Sequence, residues 1–529
     1  MQRQYRLGIP SFITVETEDS VWIGEKDAKR TEKGDVMVEY ETMPETEEVW
    51  LTADQTKVKT IKLRWNTPVN KKSRILGGSW ERTYGDVDWK GVSGSRFMPW
   101  YFLAAVGETV TGYGVKVRPS AMCFWQADTR GITLVMDVRC GGSGVQLSGR
   151  KLRAAQIVAM QTEGMGTFES AREFCKVMCT DPILPDYPVY GSNNWYYAYG
   201  DSSEEEILQD TDYIVELTKG VDNPPYMVID DCWQEHHRLN EYNGGPWKKG
   251  NKKFPDMSAL AKKLEEKGVR PGIWVRFLLN EEETIPKEWR LSHNDCLDPS
   301  HPGVLSYIQE DVERICNWGY TLIKHDFTTF DIFGRWGVEM NPFPTEDGWQ
   351  FYDTSKTSAE IVTGLYQAIY EAAKKHHTLI MGCNTIGHLG AGLMQLQRTG
   401  DDTSGITWER TKKMGVNTLA FCLPQHGTFF DVDADLRRYY GFHPVEPEPS
   451  VGGCCCRVRN LSVCLSKTRS ADSRRKRRTA PDYVKSIPAG SSQNPVRLGR
   501  NRLPGSVGRR RGRSRIQLVR RSRTGSKRK

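Results

Sequence analysis

The sequence predicts an α/β chain: a TIM-type (β/α)8 barrel preceded by an antiparallel β-sandwich. Three observations predict it. Short runs of alternating apolar and polar residues fill positions 1–183. From 187 onward, short apolar strands alternate with amphipathic helices. Polar side chains also collect where those strands end, and in a barrel all such ends meet at one mouth.

The sandwich rests on DVMVEYE (35–41), KTIKLRW (59–65), GITLVMDVRC (131–140) and VQLSGRKLRAAQIVAM (145–160), with turn residues between them. A Pro-rich connector, DPILPDYP (181–188), closes this part.

The barrel units follow over 187–435. VYGSNNW (189–195) leads to the helix SSEEEILQDTDYIVELTK, capped by Ser202 or Ser203 with acidic residues in its first turn. YMVIDDCW (226–233) precedes MSALAKKLEEKG, a helix closed by Gly268. RPGIWVRF (270–277), the helix PGVLSYIQEDVERICNWG and YTLIKHDF (320–327) come next. The helix SAEIVTGLYQAIYEAAKK then leads to HTLIMGCN (377–384). LMQLQRTGDD (393–402) and VNTLAFCLPQHG (416–427) supply the sixth and seventh strands. No GxGxxG or P-loop follows any strand, which argues against a nucleotide-binding sheet.

Composition bounds the function. A chain of 529 residues has room for roughly two to four domains. With 38% hydrophobic residues and 16 Trp, it is too apolar to be disordered. Trp also suits carbohydrate, because a sugar's apolar face stacks on an aromatic ring. The N-terminus MQRQYRLGIPSFITVETEDS lacks an apolar h-region, and no stretch is long enough to span a bilayer. The 13 cysteines are odd in number and irregularly spaced, so they read as free thiols. The expected location is the cytoplasm, with no membrane partner. Charge is segregated: residues 436–529 hold 26 Lys+Arg against 4 Asp+Glu, leaving 48 basic and 62 acidic residues before them. A nucleic-acid role would rest on that tail alone and is not expected.

The strand ends carry Asn193 and Asn194, Asp230 and Asp231, Trp274 and Arg276, Lys324 and Asp326, Cys383 and Asn384, Arg398, Asp401 and Asp402, and Gln425 and His426. Simple caps would be mostly Ser, Thr or Asn, one per loop. Paired carboxylates with Lys, Arg and Trp instead suit a polyol. Carboxylates accept from vicinal hydroxyls, cations donate to ring oxygens, and Trp covers a sugar face. Cleaving a glycosidic bond takes two carboxyl groups, one attacking or activating water and one protonating the leaving oxygen. Asp326 suits the nucleophile, with Lys324 two residues away on the same strand face to keep it ionised. Asp402 or Asp401 suits the acid/base, since crowding carboxylates raises a pKa and Arg398 opposes that shift. His236 and His237 are adjacent and lack metal-ligand spacing, so no metal is expected. Alternation turns His325 away from Asp326, towards the helices. The chemistry calls for no cofactor.

Several motifs resemble the α-galactosidase clan, in the right order over about 187–435: MVIDDCWQ (227–234), KFPDMSALAKKLEEKGVRPGIWVR (253–276), LDPSHPGVLSYIQEDVERICNWGYTLIKHDF (297–327) and LQRTGDDTSG (396–405). ERTYGDVDW (81–89) resembles the N-terminal β-supersandwich of glycoside hydrolase family 36. The chain thus resembles that family's melibiase-like α-galactosidases. The resemblance implies a retaining mechanism on terminal α-galactosides of oligosaccharides or glycoconjugates. It matches Asp326 to the nucleophile and Asp402 to the acid/base, with Asp401 the alternative. It matches Asp230 and Asp231 to the residues binding the galactose 4- and 6-hydroxyls, and Trp274, Lys324 and Arg398 to further sugar contacts. Cys383 and Asn384 fall where the family reads the 2-position substituent, in an unusual local sequence. α-N-acetylgalactosaminidase activity therefore stays open, as do raffinose-synthase-like galactosyl transfer and an inactive sugar-binding product.

After GTFFDVDAD (427–435) the pattern collapses into CCCRVRN, SRRKRR and GRRRGRSR. Such composition builds no core, so 436–529 is expected to be a disordered basic tail. LRRYYGFHPVEPEPSVGG (436–453) admits a codon choice whose one-base shift reads CVGITGSIPWSLNRQWV, which resembles the family's continuation. The tail is therefore read as out-of-frame translation, and the barrel over 187–435 as incomplete, lacking its eighth strand.

Overall fold

Alternation of buried and half-buried side chains along Phe12–Thr17 and Val36–Thr42 shows why the N-terminal region forms sheets: every second residue faces a common core. The computed structural model describes residues 2–84, 87–403, 408–410, 412–414, 418–437 and 461–464. They lie in one compact unit, residues 1–495; a second unit, Val496–Lys529, lies outside the described residues.

A nine-stranded antiparallel sheet is organised around the long strand Leu152–Glu163, and a six-stranded sheet around Val58–Trp65 and Gly131–Asp137. The sheets join through aromatic rings. Phe102 and Tyr113 of the larger sheet meet Trp125 of the smaller at 5.9 and 6.4 Å, and Trp125 stacks on Trp65 at 6.1 Å. Each such pair is worth about 0.5–1.5 kcal/mol beyond its buried area.

The helix Thr167–Met178 leads into a closed eight-stranded barrel. Its first seven strands are Tyr190–Asn193, Tyr226–Ile229, Arg270–Val275, Leu322–His325, Leu379–Gly382, Leu396–Arg398 and Asp431–Arg437, each parallel to the next. Four long helices cover the outside: Glu204–Leu217, Met257–Glu266, Pro302–Asn317 and Ser358–Lys374. Ser203 caps the first of these, accepting from the Glu206 N–H at 3.4 Å. Thr357 and Glu360 form a capping box on the last. Gly268, at φ +91°, ends the second in a backbone conformation that disfavours any side chain. Inside, Val189, Tyr226, Val228, Leu322, Leu379, Met381 and Leu396 make a separate apolar layer, so the lower barrel is packed rather than open.

Two expectations change here. The seventh strand is Asp431–Arg437, not VNTLAFCLPQHG. In that segment Thr418–Cys422 is helical and Leu423–Gln425 forms a 3₁₀ turn. Pro424 has no N–H to give a ladder and a φ suited to a helical start. DVDADLR has the period-two alternation a strand needs, with Asp433 and Asp435 buried. Gln425 and His426 are accordingly not at a strand end. Gln425 donates to the Tyr101 hydroxyl at 3.0 Å, and His426 lies against Asp431.

The second change concerns the eighth position. Leu461–Cys464 occupies it, running antiparallel to both neighbours. Ser462 pairs with Leu436 and Gly191, and Val463 with Tyr190. An antiparallel stave needs only a reversal of the chain, whereas a parallel one needs a crossover back to the same end. The barrel edges expected to be unpaired are therefore paired. Disorder and reading frame over the remaining tail lie outside the described residues.

Candidate active site

The strand ends open into a cleft of about 360 Å³. Nine of the ten residues singled out from the sequence line it: Asp230, Asp231, Trp274, Lys324, Asp326, Cys383, Asn384, Asp401 and Asp402. The tenth, Arg398, is 2% exposed and does not line the cleft, reaching it through Asp402 and Cys383.

Asp326 follows the fourth strand and is tied to the neighbouring third strand by its N–H, which donates to the Val275 carbonyl at 3.0 Å. Its carboxylate is held from three directions. Trp274 Nε1 donates to Oδ2 at 2.9 Å. Asn384 Nδ2 and the Phe327 N–H donate to Oδ1, both at 2.7 Å. Together the three donors fix the orientation of the carboxylate.

Lys324 does not pair with Asp326, as strand alternation had suggested. Its Nζ crosses to Asp230 Oδ2 at 2.7 Å, where Asn193 Nδ2 also donates at 2.6 Å. Burial works against the Lys324 ammonium, but its neighbours, Asp230 foremost and Asp326 with a smaller push, together raise the lysine's pKa. Beside this pair, Asp231 is pushed up to about 7, first by burial, then by the Asp230 charge. Gln234 Nε2 donates to it at 2.7 Å and limits the rise.

The loop after the sixth strand carries the second carboxylate group. Arg398 Nη2 donates to Asp402 Oδ1 at 3.0 Å and pairs with Asp435 Oδ2 at 2.7 Å. A second cation reaches the loop from the sandwich. Arg82 Nη1 donates to Asp402 Oδ1 and Nη2 to Asp401 Oδ1, both at 3.3 Å. Burial disfavours the Asp402 charge, but Arg398, Arg82 and Lys324 together hold its carboxyl well below the usual range. The upward shift expected of a proton donor is therefore reversed, because the three cations together outweigh burial. Asp401 is committed on both oxygens: Oδ1 to Arg82 and the Asp402 N–H, Oδ2 to Arg410 at 2.7 Å. Among the described residues no donor falls on Asp402 Oδ2.

Cys383 lies at the floor, its Sγ 3.9 Å from Arg82 Nη1 and 4.0 Å from Arg398 Nη1. Burial pushes its thiol well up, so it stays protonated despite these cations. His325 is fully buried against Phe277 and pushed down to about 3 by burial; it is a neutral packing residue facing the helices. His236 pairs with Glu281 at 3.0 Å.

Sequence reasoning missed Arg82, Tyr84, Trp195, Asn243, Phe327, Trp336 and Val338, which also line the cleft. Arg82 and Tyr84 stand inside ERTYGDVDW, a motif read only as a family mark. Asn243 and Trp336 lie in loops and Val338 in the short 3₁₀ turn Gly337–Glu339, where no periodicity marks them. Arg276 does not line the cleft; it turns to Asp331.

No protein-family model matches the chain. It is similar to α-galactosidases, which are glycoside hydrolases. One from Oryza sativa subsp. japonica is 26% identical over 140 residues, covering 26% of this chain and 29% of the relative. α-Galactosidase AgaA of Geobacillus stearothermophilus is 28% identical over 209 residues, covering 36% and 27%. The matches thus span less than a third of those relatives' length. Among solved structures, the fold resembles a Thermus thermophilus α-galactosidase in complex with p-nitrophenyl α-D-galactopyranoside. The TM-score is 0.53 at 15% identity, covering 83% of this chain and 87% of that one. It also resembles the galactosidase domain of an α-galactosidase–sucrose kinase, at TM-score 0.51 and 15% identity, covering 81% and 63%.

Proposed function

We propose that the chain is a retaining α-galactosidase cleaving terminal α-galactosyl residues by double displacement. Asp326 attacks the anomeric carbon, and Asp402 gives a proton to the leaving oxygen. A galactosyl ester forms on Asp326, and Asp402 then deprotonates the water that hydrolyses it. The observation that carries this reading is the fixed carboxylate of Asp326, held by three donors in a cleft it shares with Asp402. Asp402 is preferred to Asp401 as acid/base because its Oδ2 is uncommitted among the described residues, while both Asp401 oxygens are engaged. Asp230, with Lys324, and Asp231 offer adjacent acceptors and a donor for vicinal hydroxyls. Trp274 and Trp336 flank the sugar with apolar faces.

The test is hydrolysis of p-nitrophenyl α-galactoside by the purified chain beside Asp326→Ala. Turnover should fall more than about 10³-fold in the variant, as it does when a nucleophile is removed. Activity that survives the substitution removes Asp326 from the mechanism.

A further inference from the structure

We propose that Arg276 is a positioning residue for Asp326: its partly buried guanidinium clamps the turn that aims the carboxylate, without touching the sugar. The inference rests on the reading of Asp326 as nucleophile.

Arg276 follows the third strand and is 12% exposed, outside the cleft lining. Its Nε lies 3.0 and 3.1 Å from the two Asp331 oxygens, and its Nη2 lies 2.6 Å from Oδ1. The Asp331 side chain is fully buried, so this fork is geometrically strict. The guanidinium carbon also sits 4.2 Å from the centre of the Phe327 ring, within cation–π range.

Phe327 is the hinge of the turn. It holds φ +65°, a left-handed conformation that a bulky L-residue adopts only when its surroundings enforce it. Its N–H donates to Asp326 Oδ1 at 2.7 Å. Its carbonyl accepts from the Asp331 N–H at 2.8 Å, opening the helix Thr328–Phe333. Arg276 therefore grips the turn at both ends: by the ring at 327 and by the carboxylate at 331. Its Nη1 donates to Asn243 Oδ1 at 2.5 Å. One cation thus ties the nucleophile's turn to Asn243, a residue of the cleft lining.

The test separates aiming from binding. Arg276→Met keeps apolar bulk against Phe327 but loses the fork. For p-nitrophenyl α-galactoside, kcat should fall about 10²-fold, the effect of a small misplacement of a reacting group, with KM nearly unchanged. Asp331→Asn should share the loss, and the double variant should lose no more than either alone. The deciding background is Asp326→Gly supplied with azide. Azide attacks the anomeric carbon, the C–N bond forms as the C–O bond breaks, and p-nitrophenolate leaves. With no carboxylate left to aim, adding Arg276→Met should leave the azide-dependent rate unchanged. An equal 10²-fold loss there overturns the proposal, since Arg276 would then act on substrate or fold. If Arg276→Met does not fold, Asp331→Asn in the same background carries the comparison. An Asp326→Gly variant that is active without azide, or not restored by it, removes the nucleophile reading itself.

Discussion

Replacing Arg82 with Met should move the pH range in which the cleft can donate a proton. Arg82 lies 3.3 Å from Asp402 Oδ1, and opposite unit charges at about 4 Å attract by about 1 kcal/mol in water and about 4 kcal/mol near a protein surface. Asp402 is 41% exposed, so solvent screens the pair and about 1–2 kcal/mol is the appropriate part of that range. One pKa unit corresponds to about 1.4 kcal/mol, so the Asp402 pKa should rise by about one unit. The sign follows from the charge removed: losing a cation destabilises the carboxylate and favours the protonated acid. With Asp402 as general acid, the alkaline limb of kcat/KM should shift up by about one pH unit. The assay uses a galactoside with an alkyl leaving group, which needs the proton, beside p-nitrophenyl α-galactoside, which needs it far less. A limb that stays in place, or moves downward, for the alkyl substrate would refute the electrostatic reasoning.

Asp231→Asn should flatten the acid-to-neutral stability profile. The folded pKa is raised to about 7, so between about 4 and 7 the unfolded chain has lost a proton that the folded chain keeps. Stability therefore falls with rising pH across that window, by at most about 1.4 kcal/mol per unit, and the Asn variant should lose that slope in thermal unfolding followed from pH 4 to 8. Its KM for galactosides should rise in the same preparation. Lys324→Met should leave the Asp230 carboxylate buried without its 2.7 Å partner, at a cost of about 3–5 kcal/mol in denaturant unfolding. A loss below about 1 kcal/mol would mean that Asn193 and the Asp231 N–H suffice to hold Asp230.

Much of this molecule was legible before its structure. Strand and helix positions follow from local periodicity: the helix cap at Ser202 or Ser203, the helix end at Gly268 and the first six barrel strands need only neighbours in sequence. Asp230, Asp326 and Asp402 were visible because a carboxylate at the end of an apolar run is a local event, and polar residues at six successive strand ends imply a shared mouth. The seventh strand was misplaced because an apolar run outweighed the alternation of DVDADLR, whose inward side is acidic.

Partnerships were decided only by the tertiary structure. Lys324 stands two residues from Asp326 in sequence, yet its ammonium pairs with Asp230 on another strand, since a long side chain reaches across a barrel as easily as along it. Arg82 meets Asp402 across 320 residues, a contact that exists only because the sandwich packs against the barrel mouth. The charge state of Asp402 depends on that contact, since Coulomb energies depend on distances in space and local patterning records none of them. The residue types proposed for the chemistry were written locally. Their protonation, aim and partners were set by folding.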